Sequence, residues 1–140
     1  MPVKIVTVLN KNLEPGIALN AAAHLALGLG ASAGKVPITV AAMAFQEYQD
    51  GDGFSYPGIS ALSLIVLRAT ASEIRRFHEA CLASEMLTTA FVADMTGETY
   101  IEQLQRLKAR RREDVVYYGV CSIGERAALD PMTKRFSLWK

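Results

Sequence analysis

The sequence predicts an α/β domain built round a mixed, mostly parallel sheet. Three observations carry this. Short apolar runs rich in β-branched residues alternate with longer segments of helical period, which read as strands joined by crossover helices. The chain holds no internal repeat and no linker-like stretch, so residues 1–140 read as one domain. Its length suffices to bury roughly two-thirds of the unfolded surface without a disulfide or metal staple.

The elements follow in order. KIVTVL, within residues 3–9, is nearly continuous in apolar character, as for a strand covered on both faces. NKNLEPG then supplies a turn at Pro15-Gly16, and a helix is expected near 17–30, closed by the glycine-rich GLGASAGK. ITVAAMA, residues 38–44, reads as a second strand. YQDGDGFSYPG reads as a loop, because three glycines, two aspartates and a proline do not suit a sheet interior. LSLIVLR, residues 62–68, is a strong strand. Thr70 and Glu73 form a T-x-x-E capping box that opens a helix near 71–85, with Ile74, Phe77 and Cys81 on one face. A strand near 88–94 ends at Asp94. A helix near 98–110 places Ile101, Leu104 and Leu107 inward. A strand near 115–121 follows within VVYYGVCSIG, then a short helical turn, ERAALD, and an edge strand, FSLW.

Composition bounds the function. Apolar residues are 51%, charged residues 21%, and the net charge is +1, as in an ordinary globular protein with no overall bias toward nucleic acid. Cys81 and Cys121 lack metal spacing and read as buried reduced thiols. The first residues turn polar too soon for a signal peptide, and no run of 18 apolar residues suggests a membrane span. A cytoplasmic protein is the expectation.

Several motifs invite a ligand. Residues 28–33 match G-x-G-x-x-A, but they end a helix instead of opening one, so the dipole end is wrong for a pyrophosphate. The basic run KARRRE, residues 108–113, reads as a solvated helix end, with a phosphate or RNA patch as the alternative. His78 reads as a partly buried structural histidine. No ligand cluster for a metal and no cofactor motif is present. In GIALNAAAHLALGLGAS, Asn20 and His24 lie four apart on one helix face. They either satisfy buried backbone groups or line a pocket at the carboxyl ends of the strands.

Order and spacing of these segments resemble the type-2 peptidyl-tRNA hydrolases, and more closely an uncharacterised family related to them. KIVTVLNKNLEPG, the helix with Gly16 and His24, LIVLRAT, VADM with Asp94, and YYGVCSIGERAALDPMTKRFSLWK carry the resemblance over nearly the whole chain. It implies a three-layer α/β/α domain with a four-stranded mixed sheet, a homodimer, and cleavage of the ester between a peptide and tRNA. It also implies a site in which His24, Asp94 and a threonine act on substrate. Thr96 and Thr99 compete for the hydroxyl position, with Asn20 and Lys11 as further substrate-binding candidates. The chain departs at two positions: the family's lysine is Ile17 here and its glutamine is Ala21. Ester cleavage develops an oxyanion, and losing one donor costs roughly a hundredfold or more.

Two readings follow. One is a hydrolase of an unidentified ester or amide, small or RNA-linked, with weak action on tRNA. The other is a non-catalytic homodimeric binding or regulatory module. The helix gives its own reason for a dimer: Leu19, Leu25, Leu27 and Leu29 do not share one stripe, so one sheet face cannot cover them all.

Overall fold

The computed structural model describes residues 2–140. In chain order the elements are β1 (Val3–Asn10), α1 (Pro15–Ala33), α2 (Pro37–Ala42), β2 (Phe45–Gln49), β3 (Ser55–Ser60), β4 (Leu64–Ala69), α3 (Ala71–Ala83), β5 (Leu87–Val92), α4 (Tyr100–Ala109), β6 (Tyr117–Glu125), α5 (Arg126–Thr133) and β7 (Ser137–Leu138). A mixed five-stranded sheet of order β5-β6-β1-β4-β7 forms the middle layer, and β2 and β3 form a separate hairpin.

The pleat of β1 sorts the core. Ile5 and Leu9 join Phe91, Cys121 and Ile123 on the face that receives Ala18, Ala21, Leu25 and Leu29 of α1. Val6 and Val8 join Val92 and Val120 on the other face, against Ile74, Phe77 and Cys81 of α3 and Leu129 of α5. Successive strand residues point to opposite faces, so an unbroken apolar run must be covered on both. The Thr70 capping box forms as expected: Thr70 Oγ1 accepts from Glu73 N at 3.2 Å, and Thr70 N donates to Glu73 Oε1 at 2.9 Å. Both thiols are buried and unpaired. His78 Nδ1 lies 2.8 Å from the Tyr117 hydroxyl, a partly buried structural contact.

Four expectations are corrected. The sheet has five strands, because FSLW adds the two-residue edge β7, and it is not mostly parallel. Only β1 and β4 run parallel; β6 is antiparallel to β1 and to β5, and β7 to β4. The alternation of elements does not specify which edge a returning strand takes.

ITVAAMA is not a strand. Pro37 at the first helical position starts α2, whose side chains are all outside the core. A short apolar run cannot be told from a helical turn by period alone.

YQDGDGFSYPG is not simply loop, since it contributes to both strands of the hairpin. Pro57 and Gly58 are tolerated because a two-stranded sheet is all edge.

Ile101 and Leu104 do not point inward. They are exposed on α4, which has no buried residue. Helix α1 is long and apolar enough by composition to cross a membrane, yet one of its faces packs on the sheet as a core helix does.

Candidate functional site

The only parallel pair of the sheet creates a crevice. β1 leads into α1 on one face and its neighbour β4 leads into α3 on the other, so the two chains separate at the carboxyl ends of the strands. Open α/β sheets bind ligands at such a switch point. Here it is a cleft of about 490 Å³ lined by Lys11, Arg68, Glu73, Arg135, Phe136 and Ser137, among others.

Local structure fixes each of these. Asn10 ends β1 with its side chain bonded twice: Nδ2 donates to Tyr117 O and Oδ1 accepts from Asn12 N, both at 3.0 Å. That holds the turn in which the Lys11 amide donates to Ala69 O at 2.9 Å. Arg68 sits in the sheet between Leu9 of β1 and Ser137 of β7. Arg135 and Phe136 occupy the turn from α5 to β7, pinned by Phe136 N donating to Thr133 O and by the edge-on contact of Phe136 with Phe77. A second groove of about 350 Å³ continues from the cleft, sharing Glu73, Arg135 and Phe136 and adding Arg76 and Lys134.

The charge of this surface is one-sided. Among the described residues, Lys11, Arg68, Arg76, Lys134 and Arg135 form no ion pair. The carboxylate that lines both grooves is Glu73. Bonds from the Thr70 amide and hydroxyl hold its carboxyl below the ordinary range, with smaller help from Arg76 and Lys11. Its oxygen is thus committed to the helix cap, and the cations around it are left for other anions.

The residues expected from sequence lie in different places. Lys11 is in the cleft. Asn20 and His24 are exposed on the flank of α1, and the His24 ring stacks on Phe91 at 5.4 Å and 13°.

Asp94 is buried in a 3-10 turn, Ala93–Met95, directly after β5. Arg110 grips its carboxylate with Nε at 3.0 Å and Nη2 at 2.9 Å. Arg106 Nε lies 3.7 Å away, and its Nη2 donates to the carbonyls of Asp94 and Thr96. The Arg110 bonds hold the Asp94 carboxyl below the carboxylate range, against the opposing effect of burial. A base so neutralised is a poor proton acceptor.

Thr96 donates to Ala93 O at 2.6 Å. Thr99 caps α4 by accepting from Glu102 N at 3.3 Å. Both hydroxyls therefore serve their own turns. The structure gathers Asp94 and Thr96 under two guanidiniums and leaves Lys11 apart from them, in the cleft between β1 and β4.

Sequence reasoning missed Arg106, in the last turn of α4, and Arg110, which follows the helix with extended backbone. It placed Arg110 in a solvated basic run, whereas within that run Arg110 serves Asp94 and Arg111 pairs with Glu113. It also missed Arg68 and Arg135, which carry no local signal. Among the described residues no three His, Cys, Asp or Glu side chains gather as a metal-ligand set.

Comparison with known proteins adds a family and a fold. Among solved structures, the chain is similar to a protein of unknown function from Agrobacterium tumefaciens str. C58. The TM-score is 0.80 at 22% identity, over 100% of this chain and 99% of that one. That likeness extends to the fold alone. No curated protein matches the chain. The family described as Protein of unknown function (DUF2000) matches residues 3–140, and the chain belongs to that family.

Proposed function

We propose that the protein is a non-catalytic binding module for a small multiply charged anion, a phosphate monoester or compact polycarboxylate, seated in the cleft between β1 and β4. The observation that carries this is the convergence of Lys11, Arg68 and Arg135 at the switch-point crevice, in no ion pair among the described residues, beside a single carboxylate, Glu73, that is bonded into its helix cap. Unpaired cations repel one another, and an anion between them relieves that repulsion while taking charge-assisted bonds from two guanidiniums. Asn12 and Ser137 add neutral polar groups to the wall, and Phe136 adds an aromatic one.

Hydrolysis finds less support. The carboxylate expected to activate water is held by Arg110, His24 stacks on Phe91, and Ile17 offers no donor to an oxyanion. A cytoplasmic setting is part of the proposal, in keeping with two free buried thiols.

The test is calorimetric titration of the purified protein with inorganic pyrophosphate and with citrate, at low and high salt. Saturable binding that weakens with salt is expected. The double substitution Arg68→Gln and Arg135→Gln should weaken it by roughly a hundredfold or more, since each charged hydrogen bond contributes about 1.5–3 kcal/mol. Equal binding by the double variant, or no binding of either anion at millimolar concentration, refutes the proposal.

A further inference from the structure

The groove that continues from the cleft is chemically unlike it. One wall is a stripe of α3 at helical spacing: Glu73, Arg76, Phe77 and Ala80. The other wall is the end of α5 and the turn into β7, where Met132 and Phe136 lie. The floor is apolar. Phe77 is buried, Ala80, Met132 and Phe136 are half-buried, and the Phe136 ring stands edge-on to Phe77 at 6.1 Å and 86°. The rim is cationic. Arg76, Lys134 and Arg135 are exposed and, among the described residues, in no ion pair. Glu73, the carboxylate of the groove, is bonded to the Thr70 amide in the helix cap.

The cleft has the opposite balance. It sets Lys11, Arg68 and Arg135 beside the neutral Asn12 and Ser137, and Phe136 is its one aromatic group. Arg135 and Phe136 line both spaces and so mark the passage between them. A compact polycarboxylate seated in the cleft would have no part to offer an apolar floor next door. A phosphate monoester would, because its charge sits at one end and its alcohol can extend from the other.

Resting on the anion-binding reading of the cleft, the geometry points to a phosphate monoester of an aromatic alcohol as the ligand, its phosphate among Lys11, Arg68 and Arg135 and its ring in the groove against Phe136 and Met132. The floor favours any apolar group, but the rim selects a ring. A guanidinium is planar and weakly hydrated, and it stacks on aromatic faces. The negative face of a ring also attracts the cation. Arg76 on the α3 wall and Arg135 at the passage line the space where such a ring would lie. The Met132 thioether adds a favourable sulfur–ring contact. An aliphatic chain would gain from the floor alone while crowding three hydrated cations. The groove encloses about 350 Å³, within the range of small-molecule sites and enough for one or two fused rings.

Calorimetric titration of the full chain with methyl phosphate and with 1-naphthyl phosphate separates the ring from the phosphate, since both esters carry the same charged group. The naphthyl ester should bind roughly tenfold or more tighter, from the ring area taken out of water. Arg68→Gln should weaken both esters by the same factor. Ala80→Phe places a ring of the protein's own in the groove and should bring the naphthyl ester down to the affinity of the methyl ester. On the unaltered chain, nuclear Overhauser contacts should join the naphthyl protons to the Met132 methyl group. Binding of neither ester at millimolar concentration overturns the anion site and this inference together. Equal affinity for the two esters overturns the place of the ring and leaves the anion site standing. A naphthyl preference that survives Ala80→Phe, or ring contacts that fall on methionines other than Met132, puts the ring elsewhere and overturns the inference as well.

Discussion

Gly119→Ala should destabilise the fold, by an amount that follows from the packing of β6 against α1. A Cβ at Gly119 would lie 2.8 Å from Leu25 Cδ1, 2.8 Å from Leu9 Cδ2 and 3.1 Å from Val8 O. Carbon contacts settle near 3.5–4.0 Å, so each methyl must retreat by about 1 Å. Leu25 and Leu9 are both buried in the same cluster, so their retreat disturbs α1 and the centre of the sheet. The carbonyl belongs to a paired strand and cannot withdraw without loosening the β1–β6 ladder.

Overpacking of this kind costs about 1–3 kcal/mol. Against it stands a gain of roughly 0.5–1 kcal/mol for replacing glycine in a strand. The net expectation is a loss of about 1–2 kcal/mol. For a chain of this length that lowers the melting midpoint by about 3–7 °C.

Urea denaturation followed by circular dichroism, with a parallel thermal scan, measures it. Gly16→Ala is the companion, since an added Cβ there meets nothing within 4 Å; it should be neutral or stabilising by up to about 1 kcal/mol. A Gly119→Ala protein as stable as the parent would refute the packing argument and with it the placement of α1 over β6.

Other perturbations probe the remaining claims. Asp94→Asn should destabilise the protein at neutral pH, and its effect should fade in acid. The folded carboxyl is held below its ordinary value by Arg110, so its contribution is complete above the unfolded value of about 3.9 and is lost as pH falls through the lower folded value. Urea midpoints of both proteins at pH 7 and pH 3 check this, and an undiminished difference in acid would contradict the ion-pair account. Purified protein given peptidyl-tRNA should show turnover far below the ordinary enzyme rate of about 10 per second, because Ile17 supplies no oxyanion donor; single-turnover release of the peptide measures it. The anion titration with Arg68→Gln and Arg135→Gln completes the set.

By itself the sequence determined the elements whose cause is local. The unbroken apolar run of β1 and the Thr70–Glu73 cap are written in neighbouring residues, and both appear where their pattern places them; α1 overruns its expected bounds, taking Pro15 and Gly16 into its first turn and continuing through Gly28 and Gly30 to Ala33. Edges and short runs were not legible. Whether residues 37–42 coil or extend, and whether residues 45–60 close into a hairpin, depends on what they pack against or fail to pack against.

The sites divide in the same way. Lys11 could be read as a cation at the end of a strand. Its company could not, because Arg68 and Arg135 reach it from β4 and from the turn before β7, 57 and 124 residues along the chain. The Asp94 carboxylate likewise looked available until the fold brought Arg110, 16 residues on, within 2.9 Å. A charge is readable from the chain, but its partner is a distance in space. Only the closed sheet and the helices packed on it decide that Asp94 has two such partners, while Lys11, Arg68 and Arg135 gather in the cleft with no ion pair among the described residues.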